Sequence, residues 1–185
     1  MNRSAAADPD PAGLSIALLR GVNVGGITVK SVPLAEVFVG LGYSSVRTVL
    51  ASGNVVFDAD GREPATVKSE IERGLERAFG YDAWIVLTTQ RHVRDVVDAF
   101  PFPEVDDRQP YVVFGSDTAV LDELAAFSET ETDPAIERIA RGDGVLYWDL
   151  PRGSSTDTAF AKRSARNRYR SSTTTRNLRT LRKLL

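Results

Sequence analysis

Leu14-Ser15-Ile16-Ala17-Leu18-Leu19-Arg20-Gly21-Val22-Asn23-Val24-Gly25-Gly26 decides how this chain is read. Its apolar run is short and stops at Arg20-Gly21, which predicts a buried strand leaving its sheet into an open-backbone loop. Three glycines within six residues let backbone approach a guest closely, and Arg20 fixes a cation at the strand end. An anion is the guest that such a loop suits.

Working outward, Ser31 predicts a helix cap with Pro33 in the first turn, followed by Leu34, Val37, Phe38 and Leu41 on one face and a stop at Gly42. Val46 to Leu50 and Asn54 to Ala59 read as antiparallel strands joined through Ala51-Ser52-Gly53. Pro64 opens a second helix carrying Val67, Ile71, Leu75 and Phe79, with Gly80 as its stop, and Ala83 to Thr88 follows as a strand. Strand, helix, strand, strand, helix, strand is the order of a split βαβ, ferredoxin-like unit, with both helices on one face of its sheet.

Thr89 caps a helix with Val93, Val96, Val97 and Phe100, and Pro101-Phe102-Pro103 opens a polar hinge. The order then begins again. Tyr111 to Phe114 is a strand, Asp117 caps a helix, and Ile136 to Arg141 with Val145 to Leu150 is a hairpin about Asp143-Gly144. A weaker helical stretch runs from Ser155 past Phe160 into a basic tract, and a last helix starts near Arg176 with Leu178, Leu181 and Leu185 on one stripe.

The fold expected is therefore α+β, two tandem ferredoxin-like (βαββαβ) units with antiparallel sheets and a C-terminal helix. Residues 1–13 are expected to be a disordered tail, 14–100 the first half and 101–185 a degraded copy of it.

Composition narrows the chemistry. The 185 residues include no cysteine, which removes disulfides, thiolate metal sites and cysteine nucleophiles. No run is long and apolar enough to span a bilayer, so a soluble, cytoplasmic protein without membrane partners is expected. The net charge of −2 hides an asymmetry: ten of the 23 lysines and arginines, but one of the 25 carboxylates, lie in residues 151–185. That cationic segment either docks on the acidic body or recruits phosphate or nucleic acid.

Three blocks carry a family likeness. Leu18 to Gly26, Ser52-Gly53-Asn54-Val55-Val56-Phe57, and Thr174-Thr175-Arg176-Asn177 with its trailing Leu-rich helix resemble the bacterial domain of unknown function 1697 family over residues 14 to 185. The resemblance implies a pair of ferredoxin-like units, a cytoplasmic protein and no settled activity. The chain departs from the pattern at Thr158-Ala159-Phe160 and at Leu178, where such proteins carry Ser-Lys-Leu and an aromatic residue.

The glycine loop fits neither a Rossmann fingerprint nor a Walker A motif, because Ile27-Thr28 follows Gly26 where a Lys-Ser/Thr pair would stand. A generic anion loop remains. Thr175 is expected to cap the last helix and leave first-turn N–H groups beside Arg176. The expected ligand site therefore comprises Arg20, Gly21, Asn23, Gly25, Gly26, Ser52, Asn54, Thr175, Arg176 and Asn177, converging at the seam of the halves around a phosphate- or carboxylate-bearing molecule. No catalytic residue, cofactor or metal is assigned. Any reaction there would be an electrostatically assisted transfer or hydrolysis.

His92, the one imidazole, sits beside its helix's apolar stripe and reads as an ordinary histidine. Asp58/Asp60, Glu104 to Asp107 and Glu129 to Asp133 lack EF-hand spacing and read as solvated loop charges. The rival function is nucleic-acid binding through Lys162, Arg163, Arg166, Arg168 and Arg170, with Tyr169 among them. The first-half strands lack the aromatic pattern of an RNA-reading sheet, which confines that reading to salt-sensitive backbone contacts. An interaction scaffold without ligand is the third reading.

Overall fold

The computed structural model describes residues 13–20, 29–50, 53–80 and 82–185. Gly21, Asn23, Gly25, Gly26 and Ser52 of the expected site lie outside the described residues. In chain order the elements are β1 (Ser15–Arg20), α1 (Ser31–Gly40), β2 (Ser44–Thr48), β3 (Asn54–Asp58), α2 (Pro64–Phe79), β4 (Trp84–Thr89) and α3 (Gln90–Asp98). There follow β5 (Arg108–Gly115), α4 (Thr118–Glu131), β6 (Arg138–Gly142), β7 (Val145–Pro151), α5 (Ala159–Ser164), a 3₁₀ turn at Asn167–Tyr169, β8 (Thr173–Asn177) and α6 (Leu178–Arg182).

Two four-stranded antiparallel sheets result, ordered β2-β3-β1-β4 and β6-β7-β5-β8. The chain is thus α+β, with six α-helices among the described residues.

Period-two alternation explains how the sheets are covered. Ala17, Leu19, Val55, Phe57 and Ile85 turn to one side of the first sheet and pack on Leu34 and Phe38 of α1 and Val67, Ile71 and Leu75 of α2. In the second sheet, Val113, Leu146, Trp148 and Leu150 pack on Leu121 and Leu124 of α4 and on Phe160 and Ala161 of α5. The opposite faces meet in the middle. Ile16, Leu18, Val56 and Val86 share one buried cluster with Val112, Phe114, Val145 and Tyr147, filled in by Val93 and Val96 of α3 and Leu178 and Leu181 of α6.

Several local readings hold for the reasons given. Pro64 stands in the first turn of α2 and Gly80 ends it at φ +67°, while the cap itself, Glu63, is not among those readings. The Thr89 hydroxyl accepts from the His92 amide to cap α3, and the Asp117 carboxylate accepts from the Ala119 amide to cap α4. Gly144, at φ +62°, takes the left-handed position in the β6–β7 turn.

Two local readings are corrected. Ser31 is the first residue of α1 rather than its cap; Lys30 holds the cap position with extended backbone and no side-chain cap bond. The last helix begins two residues later than its apolar stripe suggested, because Thr173 to Asn177 pair with β5 as an edge strand, Arg176 standing opposite Val112. Thr175 is therefore a strand residue. Asn177 is the cap, its side chain accepting from the Arg179 amide at 2.8 Å.

The C-terminal helix is tied to β2 and α3 as well as buried. Gln90 donates to the carbonyls of Leu184 at 2.7 Å and Leu185 at 3.1 Å, and Arg47 donates to those of Lys183 and Leu184, each at 3.3 Å. Each sheet carries one tryptophan, Trp84 and Trp148. Because the middle cluster draws on both sheets, urea transitions followed through Trp84 in a Trp148→Phe variant and through Trp148 in a Trp84→Phe variant are expected to coincide. Leu181→Ala should lower both together, by about 2–5 kcal/mol.

Candidate arginine seam

Arg20, Asn54 and Arg176 come from three strands of two sheets, and their alternation places all three toward the middle layer, in phase with Leu18, Val56 and Val112. They do meet. The Arg176 Nε donates to Asn54 Oδ1 at 2.5 Å, its Nη2 to the Leu19 carbonyl at 2.5 Å and the Gly53 carbonyl at 3.3 Å, and its Nη1 to Thr174 Oγ1 at 2.7 Å and the Thr175 carbonyl at 2.9 Å. A guanidinium has five N–H donors. Among the described residues these five acceptors match that number, and they come from β1, from β8, from Asn54 of β3 and from Gly53 just before it.

Arg176 is 8% exposed, and every partner just named is a neutral oxygen. Burial, and then the like charge of Arg20, pull its pKa well below the ordinary guanidinium value, to about 10. Arg20 is half-buried beside it. Its Nη1 donates to the Thr173 carbonyl at 2.6 Å and to Thr173 Oγ1 at 2.8 Å, while Nε and Nη2 meet no hydrogen-bond acceptor among the described residues. Burial, then the charge of Arg170, lower its pKa in turn. Arg170 lies over the Trp84 ring, 5.6 Å from its centre.

The seam therefore gathers three guanidiniums, two of which are destabilised by a neighbour of the same sign. Asn54 is fully buried and holds the junction from the other side, its amide nitrogen donating to the Val49 carbonyl at 2.9 Å. Of the expected site residues within the described chain, Arg20, Asn54 and Arg176 converge. Thr175 contributes a carbonyl and no helix cap, and Asn177 turns to a different surface, a cleft beside α6. Arg170 was read only as part of the basic tract. Its partner Trp84 is half-buried at the start of β4, and no local signal in the sequence announces that meeting.

Part of the remaining tract is occupied. Glu123 of α4 pairs with Arg163 at 2.7 Å and with Arg168, and accepts from the Tyr169 hydroxyl at 2.7 Å. Those contacts, Tyr169's first and then the two arginines', hold its carboxyl below the ordinary value against an opposing cost of desolvation. Lys162 and Arg166 remain exposed. The tract is thus docked on the acidic body through Glu123.

His92 is more engaged than an ordinary surface residue. Its Nδ1 lies 2.8 Å from Thr88 Oγ1 and its Nε2 3.0 Å from the Asp143 carbonyl, so it links α3 to the β6–β7 turn. Among the described residues no group of three or more His, Asp or Glu side chains is arranged to hold a metal ion. No helix among them is long and apolar enough to cross a membrane.

A two-sheet α+β protein closed by a buried arginine at the junction of its sheets is the class that fold and site define. The chain belongs to the family described as protein of unknown function (DUF1697), whose model matches residues 14–147. The fold is also similar to that of a conserved bacterial protein from Streptococcus pneumoniae, with a TM-score of 0.76 at 20% identity over 93% of this chain and 96% of that one. No curated protein matches the chain in sequence.

Two outcomes test this geometry. Arg176→Met, which leaves five acceptors without their donor, is expected to cost about 3–5 kcal/mol in urea unfolding. Because the Glu123 carboxyl is depressed in the folded state, its stabilisation is present above the unfolded value near 4.5 and disappears as pH falls through the folded one. Stability measured from pH 6 to pH 3 should accordingly fall less in Glu123→Gln than in the parent.

Proposed function

We propose that the protein binds an anionic small molecule, bearing phosphate or carboxylate, at the outer side of the arginine seam. One observation carries the reading: Arg170, Arg20 and Arg176 lie in a row of like charges, and Arg20 keeps Nε and Nη2 without an acceptor among the described residues. An anion beside Arg20 relieves that repulsion and takes up two donors in the fork geometry that suits phosphate and carboxylate. Arg176, with its donors consumed, is a positioning residue. The glycine-rich segment after β1 and Ser52 after β2 supply backbone contacts in this reading, since the described strands bring the flanks of both, Arg20 and Gly53, to the same junction.

The two halves are read as ferredoxin-like units, residues 14–100 and 101–185, related by duplication. The second sheet's repeat of the first sheet's strand order supports it. So does the placement of two helices on the outer face of each.

Thermal unfolding against inorganic phosphate, nucleotides and sugar phosphates tests the anion site. A true ligand at about 100 times its Kd stabilises by about 2.7 kcal/mol, which raises Tm by roughly 5–10 °C in a chain of this size. Arg20→Ala should lose at least tenfold in affinity while remaining folded. A ligand held equally well by that variant places the site elsewhere.

A further inference from the structure

Asn177 points the search away from the seam, to a cleft of about 640 Å³ between the segment around Glu104 to Pro110 and the last helix. That volume lies in the range of small-molecule sites. Its charges sort into two kinds. Arg182 pairs with Glu104 through both terminal nitrogens, and Arg108 pairs with the buried Asp149, so these two are neutralised and held. Arg152, Arg179 and Lys183 are not neutralised.

Arg152 is held by a neutral group, its Nε and Nη2 donating to the Asp106 carbonyl at 3.0 and 2.9 Å, so its position is fixed and its charge is not cancelled. Arg179 in α6 and Lys183 at its C-cap stand four residues apart and are exposed, with no side-chain partner among the described residues. Against these three cations the cleft presents one carboxylate not engaged in an ion pair among the described residues, that of Asp106. Gln109, Asn177 and Thr180 add neutral groups able to bond hydroxyls. No aromatic ring lines it, so nothing there stacks on a base.

We propose that this cleft is a second binding site, for a compact sugar or polyol bearing two or more phosphates. Phosphates at separate ends of such a molecule meet Arg152 on one wall and the Arg179–Lys183 pair on the other, while its hydroxyls meet Gln109, Asn177 and Thr180. Nucleic acid is disfavoured because the cleft lacks the stacking platform on which single strands are held. The site shares none of Arg20, Asn54 or Arg176 and stands whether or not the seam binds a ligand.

Titration calorimetry with fructose 1,6-bisphosphate as probe tests it on the full chain. The parent is expected to bind one equivalent at this site, and the Arg179→Ala/Lys183→Ala double variant to lose at least tenfold in affinity with Tm unchanged, both side chains being exposed. Arg20→Ala should bind at this site as the parent does, which separates the cleft from the seam. Lys183→Glu, which reverses one charge, should weaken binding further than Lys183→Ala. The proposal is overturned by no binding, by binding that the double variant retains, or by a double-variant-sensitive site that takes a short oligonucleotide and not the bisphosphate.

Discussion

Burying a guanidinium is expensive, by several kcal/mol unless its donors are all met, and the junction of this molecule is built on that requirement. Arg176 draws the carbonyls of Leu19 and Gly53 and the amide of Asn54 onto an edge strand of the other sheet. Those are the ends of β1 and β3. The arginine thereby fixes how the first sheet meets β8, and the middle layer is closed at that end by a polar cross-link where the rest of it is apolar.

The same constraint produces the electrostatics of the seam. A cation pinned for structural reasons cannot move away from Arg20, and Arg20 is itself pinned to Thr173. Arg170 is placed by Trp84. Three positive groups are thus brought together by contacts that do not cancel their charge, which is the physical condition for anion recognition. Elsewhere the excess of basic residues in the last 35 positions is absorbed differently. Glu123 takes Arg163 and Arg168, Glu104 takes Arg182, and only part of the charge is left facing outward.

The polar pins also explain why the last helix, five residues long, is ordered. An isolated helix of that length is unstable in water. Here Leu178, Leu181 and Leu184 are fully buried between the sheets, and Gln90 and Arg47 hold the carbonyls of its C-terminal turn. The last helix is thus packed against residues of both sheets, and its polar pins come from β2 and α3.

Up to β7, the element order, the strand runs, most helix faces and the caps at Thr89 and Asp117 were determined by the sequence itself, because period and cap chemistry are local properties of neighbouring residues. The convergence of Arg20, Asn54 and Arg176 was legible in part: residue type suggested it, with Arg20 and Asn54 at strand ends and Arg176 at an expected helix start. Whether those groups serve a ligand or the fold was not legible, since that depends on which acceptors surround them, and the acceptors of Arg176 include backbone carbonyls more than 120 residues away. Local signals misplaced the start of α6 for a related reason. Thr173 to Asn177 became a strand through pairing with β5, an interaction that the Leu-rich stripe beside them does not encode. Only the tertiary structure decided that pairing, the docking of the basic tract on Glu123, and the cleft beside α6, because each is made by residues that the chain keeps far apart.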